Sequence, residues 1–117
     1  MHRPAKEPND LEKFFVERAN AGDVEGLVSL YEPHAMLVSD EGNVATGHDE
    51  IRKFFITYVA GCASLAPSDQ APALCNGDLA LTSSQLENGD VTAEIARRQP
   101  DGSWLWVIDN FSVHKRV

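Results

Sequence analysis

The order in which pattern signals run along the chain limits its fold more than any single motif. Three helix signals come first, and turn-separated strands fill the rest. Leu11, Phe14, Phe15 and Ala19 recur at helical spacing behind Asn9 or Asp10, either of which can cap, and Gly22 stops the run. Asp23 caps a second helix with the apolar face Val24, Leu27, Val28 and Tyr31, closed by Pro33. A short apolar strand, Ala35-Met36-Leu37-Val38, leads into an acidic glycine turn, Ser39-Asp40-Glu41-Gly42. The third helix opens at Thr46-Gly47-His48-Asp49, a capping box with Asp in place of Glu. It carries Ile51, Phe54, Phe55, Tyr58 and Val59 and ends at Gly61. Turns at Asn76-Gly77-Asp78, Asn88-Gly89-Asp90 and Pro100-Asp101-Gly102 then delimit strands near 73–75, 79–86, 91–98 and 104–113. Residues 63–70 read as irregular or an edge strand, because Pro67 and Pro72 cannot donate to a ladder. Helices first and an antiparallel sheet last predict an α+β fold, with helices covering one face of a bent sheet and a pocket between the layers.

The chain has 117 residues, which fits one domain over 10–117 behind a polar, flexible N-terminus at 1–9. A net charge of −8 is the wrong sign for a phosphate backbone, so no nucleic-acid partner is expected. His114-Lys115-Arg116 reads as a solvated tail. No apolar stretch approaches membrane-spanning length, and the first residues lack the apolar core of a signal peptide; both point to a cytoplasmic protein without a membrane partner. Cys62 and Cys75 are too far apart for a redox or metal motif and read as small hydrophobes. His34 and His48 are isolated, so no metal site is predicted and no cofactor is implied.

The last two strands carry the chemistry. Glu94 and Asp109 each interrupt an apolar strand. A two-residue hairpin turn at Asp101-Gly102 would set them opposite one another on one face, where desolvation and repulsion raise a carboxyl pKa toward neutrality. A type I turn with a glycine bulge at Gly102 would instead put them on opposite faces, and pairing of Glu94 with Arg97 or Arg98 is the bland alternative. Trp104, Trp106 and Ile108 alternate away from Asp109. With Val91 and Ile95 they form an apolar face that a two-fold partner would cover, predicting a homodimer.

The segment Gly22-Asp23-Val24-Glu25-Gly26-Leu27-Val28-Ser29-Leu30-Tyr31, then Ala35-Met36-Leu37, then Gly47-His48-Asp49-Glu50-Ile51-Arg52-Lys53-Phe54-Phe55, resembles the SnoaL-like and ketosteroid-isomerase-like branch of the nuclear transport factor 2-like superfamily. Arg97-Arg98-Gln99-Pro100-Asp101-Gly102-Ser103-Trp104 is similar to the final hairpin of many members. The resemblance spans about Asp10 to Val113. It implies a cone: a strongly bent sheet wrapped around helices, with a pocket inside and often a dimer across the sheet. The isomerases' tyrosine oxyanion donor in the first helix falls on Phe15, which cannot donate. Their carboxylate base falls on Ser39, with Asp40 one place later, and their protonated acid falls on Glu94. Apolar pocket positions of the final strand fall on Val107 and Phe111, with Asp109 between them. Two of three isomerase positions are replaced, which argues against steroid isomerisation itself.

The expected function is therefore a SnoaL-like small-molecule-binding protein. Isomerase, cyclase or hydratase chemistry on an apolar carbonyl-bearing ligand stays open beside non-catalytic binding or an oligomerisation role. Glu94, Asp109 and, more weakly, Asp40 are the candidate proton-handling groups. Phe15, Ser39, Phe55, Tyr58, Val107 and Phe111 are the candidate ligand contacts.

Overall fold

A computed structural model describes residues 2–62 and 64–114, so Lys115 and Arg116 of the basic tail and Ala63 lie outside the described residues. The elements are α1 (Asp10–Asn20), α2 (Val24–Val28), β1 (Tyr31–Val38), β2 (Val44–Thr46), α3 (Gly47–Gly61), β3 (Asp69–Gln70), β4 (Leu74–Asn76), β5 (Leu79–Thr82), β6 (Ser84–Gln85), β7 (Val91–Arg98) and β8 (Trp104–His114). The sheet runs β2-β1-β8-β7-β5-β4, with β3 reaching β7 through β6. Every pairing is antiparallel except β1 with β8. α3 packs on β1 and β2, and α2 packs between α1 and α3. Three helices on a mixed, open sheet give the expected α+β cone.

Local chemistry explains the boundaries. The Asp23 carboxylate accepts the Gly26 N–H at 2.9 Å and starts α2, which lasts only five residues. Tyr31 and Pro33, read above as the end of that helix, already belong to β1. Pro33 is tolerated because the β1–β8 register is irregular between Tyr31 and Met36, where its missing N–H breaks no regular ladder. At α3 the reciprocal contact comes from Glu50, whose Oε1 accepts the Thr46 N–H at 2.8 Å, and not from Asp49. The predicted strand over 79–86 is interrupted at Ser83, and β2 escaped the sequence reading because three residues leave no period to detect.

Residues 2–8 lie against the domain. Ala5 is buried and its carbonyl accepts the Trp104 N–H, while Arg3 reaches Glu17 and His2 reaches Asp23. Cys75 is exposed and Cys62 half-buried, so neither is a core hydrophobe. Arg97 pairs with Glu32 and Arg98 with Asp78, which leaves Glu94 to other partners.

The β7–β8 hairpin decides what faces inward. Its turn is a three-residue loop: Arg98 opposes Trp104, the Gly102 N–H bonds the Gln99 carbonyl, and Gly102 has φ +87°. That loop alone would set Glu94 opposite Ile108. A second irregularity then restores the balance, because Ala96 opposes Trp106 while Ile95 opposes Ile108, leaving Val107 as an extra residue. From there on Glu94 lies directly opposite Asp109. The parity of β8 switches at Val107, so Trp104 and Trp106 point into the core together with Asp109. The face expected to hold both tryptophans and Ile108 is therefore divided. The tryptophans belong to the monomer's own core, with Trp106 against Phe15 and Tyr31, and Ile108 remains outside.

The outer face keeps an apolar row nonetheless. Leu74 opposes Leu81, Leu81 opposes Ile95, Ile95 opposes Ile108, and Ile108 opposes Met36. One line of five large apolar side chains thus crosses five strands. Leu81 is 46% exposed and Ile108 39%.

Candidate functional site

A cavity of about 150 Å3 lies between α1, α3 and the inner face of β7 and β8. Helical spacing puts Glu12, Phe15 and Val16 on one side of α1, and all three line it. Tyr58 contributes from α3, Thr92 and Glu94 from β7, and Asp109 and Phe111 from β8. Asp40, in the turn after β1, and Asp90, in the turn before β7, line it as well. Among the predicted contacts, Phe15, Tyr58 and Phe111 are therefore cavity residues.

Three others are not. Phe55 is fully buried behind the wall, with its ring edge-on to Phe15 and Tyr58. Val107 is the bulge residue, half-buried and away from the cavity. Ser39 is buried, and its hydroxyl holds the turn by accepting the Asn43 N–H at 3.1 Å.

At the floor, Glu94 and Asp109 are each 3% exposed. The buried Tyr31 hydroxyl donates to Asp109 Oδ2 at 2.5 Å, and the Thr82 hydroxyl donates to Glu94 Oε1 at 2.6 Å. Burial pushes the Asp109 carboxyl well above the usual range, the Glu94 charge opposite pushes it the same way, and the Tyr31 donation works against both. Glu94 is also raised by burial, against the pull of Thr82 and Thr92. Two carboxyls this close lose protons as a pair, so the floor retains a proton at pH values where an exposed acid is fully ionised.

Glu12 is a site residue the sequence reading did not single out. Half-buried, it accepts from the Ser68 hydroxyl at 3.0 Å. Burial first, and the charge of Glu94 second, push its pKa up to about 7. In the sequence it looks like a solvated acid beside an apolar stripe. Its spacing to Phe15 and Val16 is the signal that could have found it. Tyr31 was read as a helix-face apolar residue, and nothing local announces that its hydroxyl meets a carboxyl 78 positions away. His48 serves structure, its Nε2 lying 2.8 Å from the Tyr31 carbonyl oxygen.

No protein-family model and no curated protein matches the chain. Solved structures do match. A ketosteroid isomerase-like protein from Erwinia carotovora atroseptica superposes with TM-score 0.69 and 16% identity over 87% of this chain and 89% of its own. A nuclear transport factor 2-like protein of unknown function from Pseudomonas putida gives 0.70 and 16% over 93% and 85%. A proposed calcium/calmodulin-dependent protein kinase type II association domain from Thiobacillus denitrificans gives 0.77 and 12% over 92% and 95%. Proteins of such different roles share an architecture and not an activity. With 87–93% of its length superposing on these structures, the chain has the nuclear transport factor 2-like fold.

Proposed function

We propose that the chain binds a small, largely apolar, carbonyl-bearing molecule in this cavity and moves a proton on it. The observation that supports this reading is the pair of carboxyls on the cavity floor, set opposite one another and each held by a buried hydroxyl. A carboxyl kept neutral by its surroundings donates a hydrogen bond to a carbonyl oxygen. Glu12, with its pKa near 7, serves as the base. In that scheme the Glu12 carboxylate takes a proton from the carbon beside the carbonyl, the floor acid stabilises the enolate oxygen, and the proton returns to carbon. Nothing is consumed, so no cofactor is called for.

Size supports a ring-sized ligand: an engineered apolar cavity of about 150 Å3 holds benzene. The outer apolar row is assigned to a second copy in a two-fold, sheet-to-sheet dimer that leaves the cavity free.

Acetophenone tests the reading. It should shift the NMR signals of Phe15, Tyr58 and Phe111. Exchange of its methyl protons with solvent deuterium should be faster with wild type than with Glu12→Gln. Binding without accelerated exchange leaves a non-catalytic binder, and no binding at all overturns the proposal.

A further inference from the structure

Asn9 and Asn20 stand at the two ends of α1, and their side chains grip the chain that crosses the helix between α3 and β4. Asn9 occupies the N-cap position, yet its side chain makes no capping hydrogen bond. It donates instead to Gln70 Oε1 at 2.8 Å and to the Ala71 carbonyl at 3.3 Å, and it accepts the Ala73 N–H at 3.2 Å. Gln70 Nε2 returns a bond to the Asn9 carbonyl at 3.0 Å. At the other end, the Asn20 amide donates to the Leu65 carbonyl at 3.0 Å and accepts the Leu65 N–H at 2.7 Å. One side chain thus satisfies both backbone groups of a residue that belongs to no helix or strand. The crossing chain runs antiparallel to α1 between these two clasps.

Ser68 lies between them, and its hydroxyl donates to Glu12 Oε2 at 3.0 Å. Lengths fix that meeting. From Asn9 to Asn20 the helix rises about 16 Å, and the stretch from Leu65 to Gln70, fully extended, spans about 17 Å. With so little slack, Ser68 cannot slide along α1 while both clasps are closed. Glu12, Val16 and Ser68 line both the cavity and the groove beside it, so the bond stands at the boundary of the two.

We infer that Ser68 is a positioning residue for Glu12, delivered to it by the Asn9 and Asn20 clasps. This rests on the base role proposed for Glu12 and adds what orients that base and regulates its charge. A fixed hydroxyl donor limits the rotation of the carboxylate and favours its ionised form. Burial first, and the Glu94 charge second, push the Glu12 pKa up to about 7, and the Ser68 bond restrains that rise. The other titratable groups around Glu12 are Glu94 and Asp109 on β7 and β8, and Tyr31 and Tyr58 on β1 and α3. Asp40 and Asp90 face it from the flanking turns, and Lys13 lies in the groove. Replacing Ser68 removes none of them.

Carboxyl-carbon NMR titration of the ligand-free protein tests the inference without any bound molecule. Ser68→Ala should raise the Glu12 midpoint by about one pH unit, the size of a lost bond to a charged group. Ser68→Thr, which keeps the hydroxyl, should stay near wild type. Asn20→Ala, at an exposed position outside the cavity, should move the midpoint the same way by less. In acetophenone exchange, Ser68→Ala should be about fivefold slower than wild type at about pH 7, where fewer molecules carry an ionised Glu12. Near about pH 9 the two rates should converge, which a merely structural defect would not produce. A Glu12 midpoint unmoved by Ser68→Ala, or moved as far by Ser68→Thr, overturns the inference and leaves the binding reading intact. So does a loss of rate that is equal at both pH values. A midpoint unmoved by Asn20→Ala overturns delivery by the clasps. A moved midpoint without accelerated exchange by wild type overturns the base role of Glu12 and leaves the hold of Ser68 on it standing.

Discussion

The two faces of the β7–β8 hairpin reverse the usual assignment of polar and apolar residues. Inside, where a sheet normally carries aliphatic side chains, Thr92, Glu94 and Asp109 sit buried beside Ala96 and Trp106. Outside, where charges are expected, Ile95 and Ile108 continue a line of leucines and methionine. The inner face costs stability, because it desolvates two carboxyls at close range. The outer face leaves apolar area in water, which a partner would remove at about 25 cal/mol per Å2. In the function proposed above, the inner face serves a ligand and the outer face a second copy.

The contrast depends on one extra residue, so the strongest way to break it is to insert one alanine after Val107. If the bulge keeps its single extra residue, Asp109 then turns outward, Ile108 turns inward and the register beyond Val107 slips by one. The insertion should lower stability by about 3 kcal/mol or more, read as the urea midpoint. A variant unfolding at the wild-type midpoint would mean that the bulge can absorb a second residue and does not fix the pair.

A smaller effect concerns the outer face alone. Ile108→Glu should convert the proposed dimer to a monomer in light scattering at micromolar concentration, since two-fold symmetry places like charges together at several kcal/mol. Its far-UV circular dichroism should not change. A wild type that is itself monomeric removes the dimer from the proposal.

The inner face is probed by pH. The folded pKa values of Asp109, Glu94 and Glu12 are all raised, so the folded state binds more protons than the unfolded chain above the unfolded carboxyl range. Their contribution is therefore fully present below about pH 4 and lost as pH rises through the folded values, which for Glu12 means about 7. Stability should fall across that window by up to about 1.4 kcal/mol per pH unit for each proton released. Asp109→Asn should flatten part of this slope, stabilise the fold near neutral pH and lower the Glu94 pKa by removing a like charge. An unchanged slope would place the acids in water.

The smallest expected change sharpens the comparison within the pair. Thr82→Val removes the donor to Glu94 Oε1, so the Glu94 pKa should rise further at a cost of about 1 kcal/mol. Carboxyl-carbon NMR titration reads it directly. A fall in that pKa would show that Thr82 favours the protonated form.

The sequence by itself determined the first and third helices, the order of layers and the identity of the two unusual acids. Amphipathic periods of Leu11–Ala19 and Ile51–Val59 and left-handed glycines after Asn76 and Asn88 are local signals, and local signals survive in one dimension. It also raised the pairing of Glu94 with Asp109, but through a two-residue turn that does not form. Only the tertiary structure decided that pairing, because two one-residue irregularities cancel, one at Gly102 and one at Val107, and a strand pattern of period two cannot show where parity switches. The same switch drew Trp104 and Trp106 into the core and left Ile108 outside. Glu12, Tyr31 and Thr82 joined the site for a related reason. Their role comes from long-range contact with desolvated carboxyls, and desolvation is a property of the packed molecule rather than of any segment.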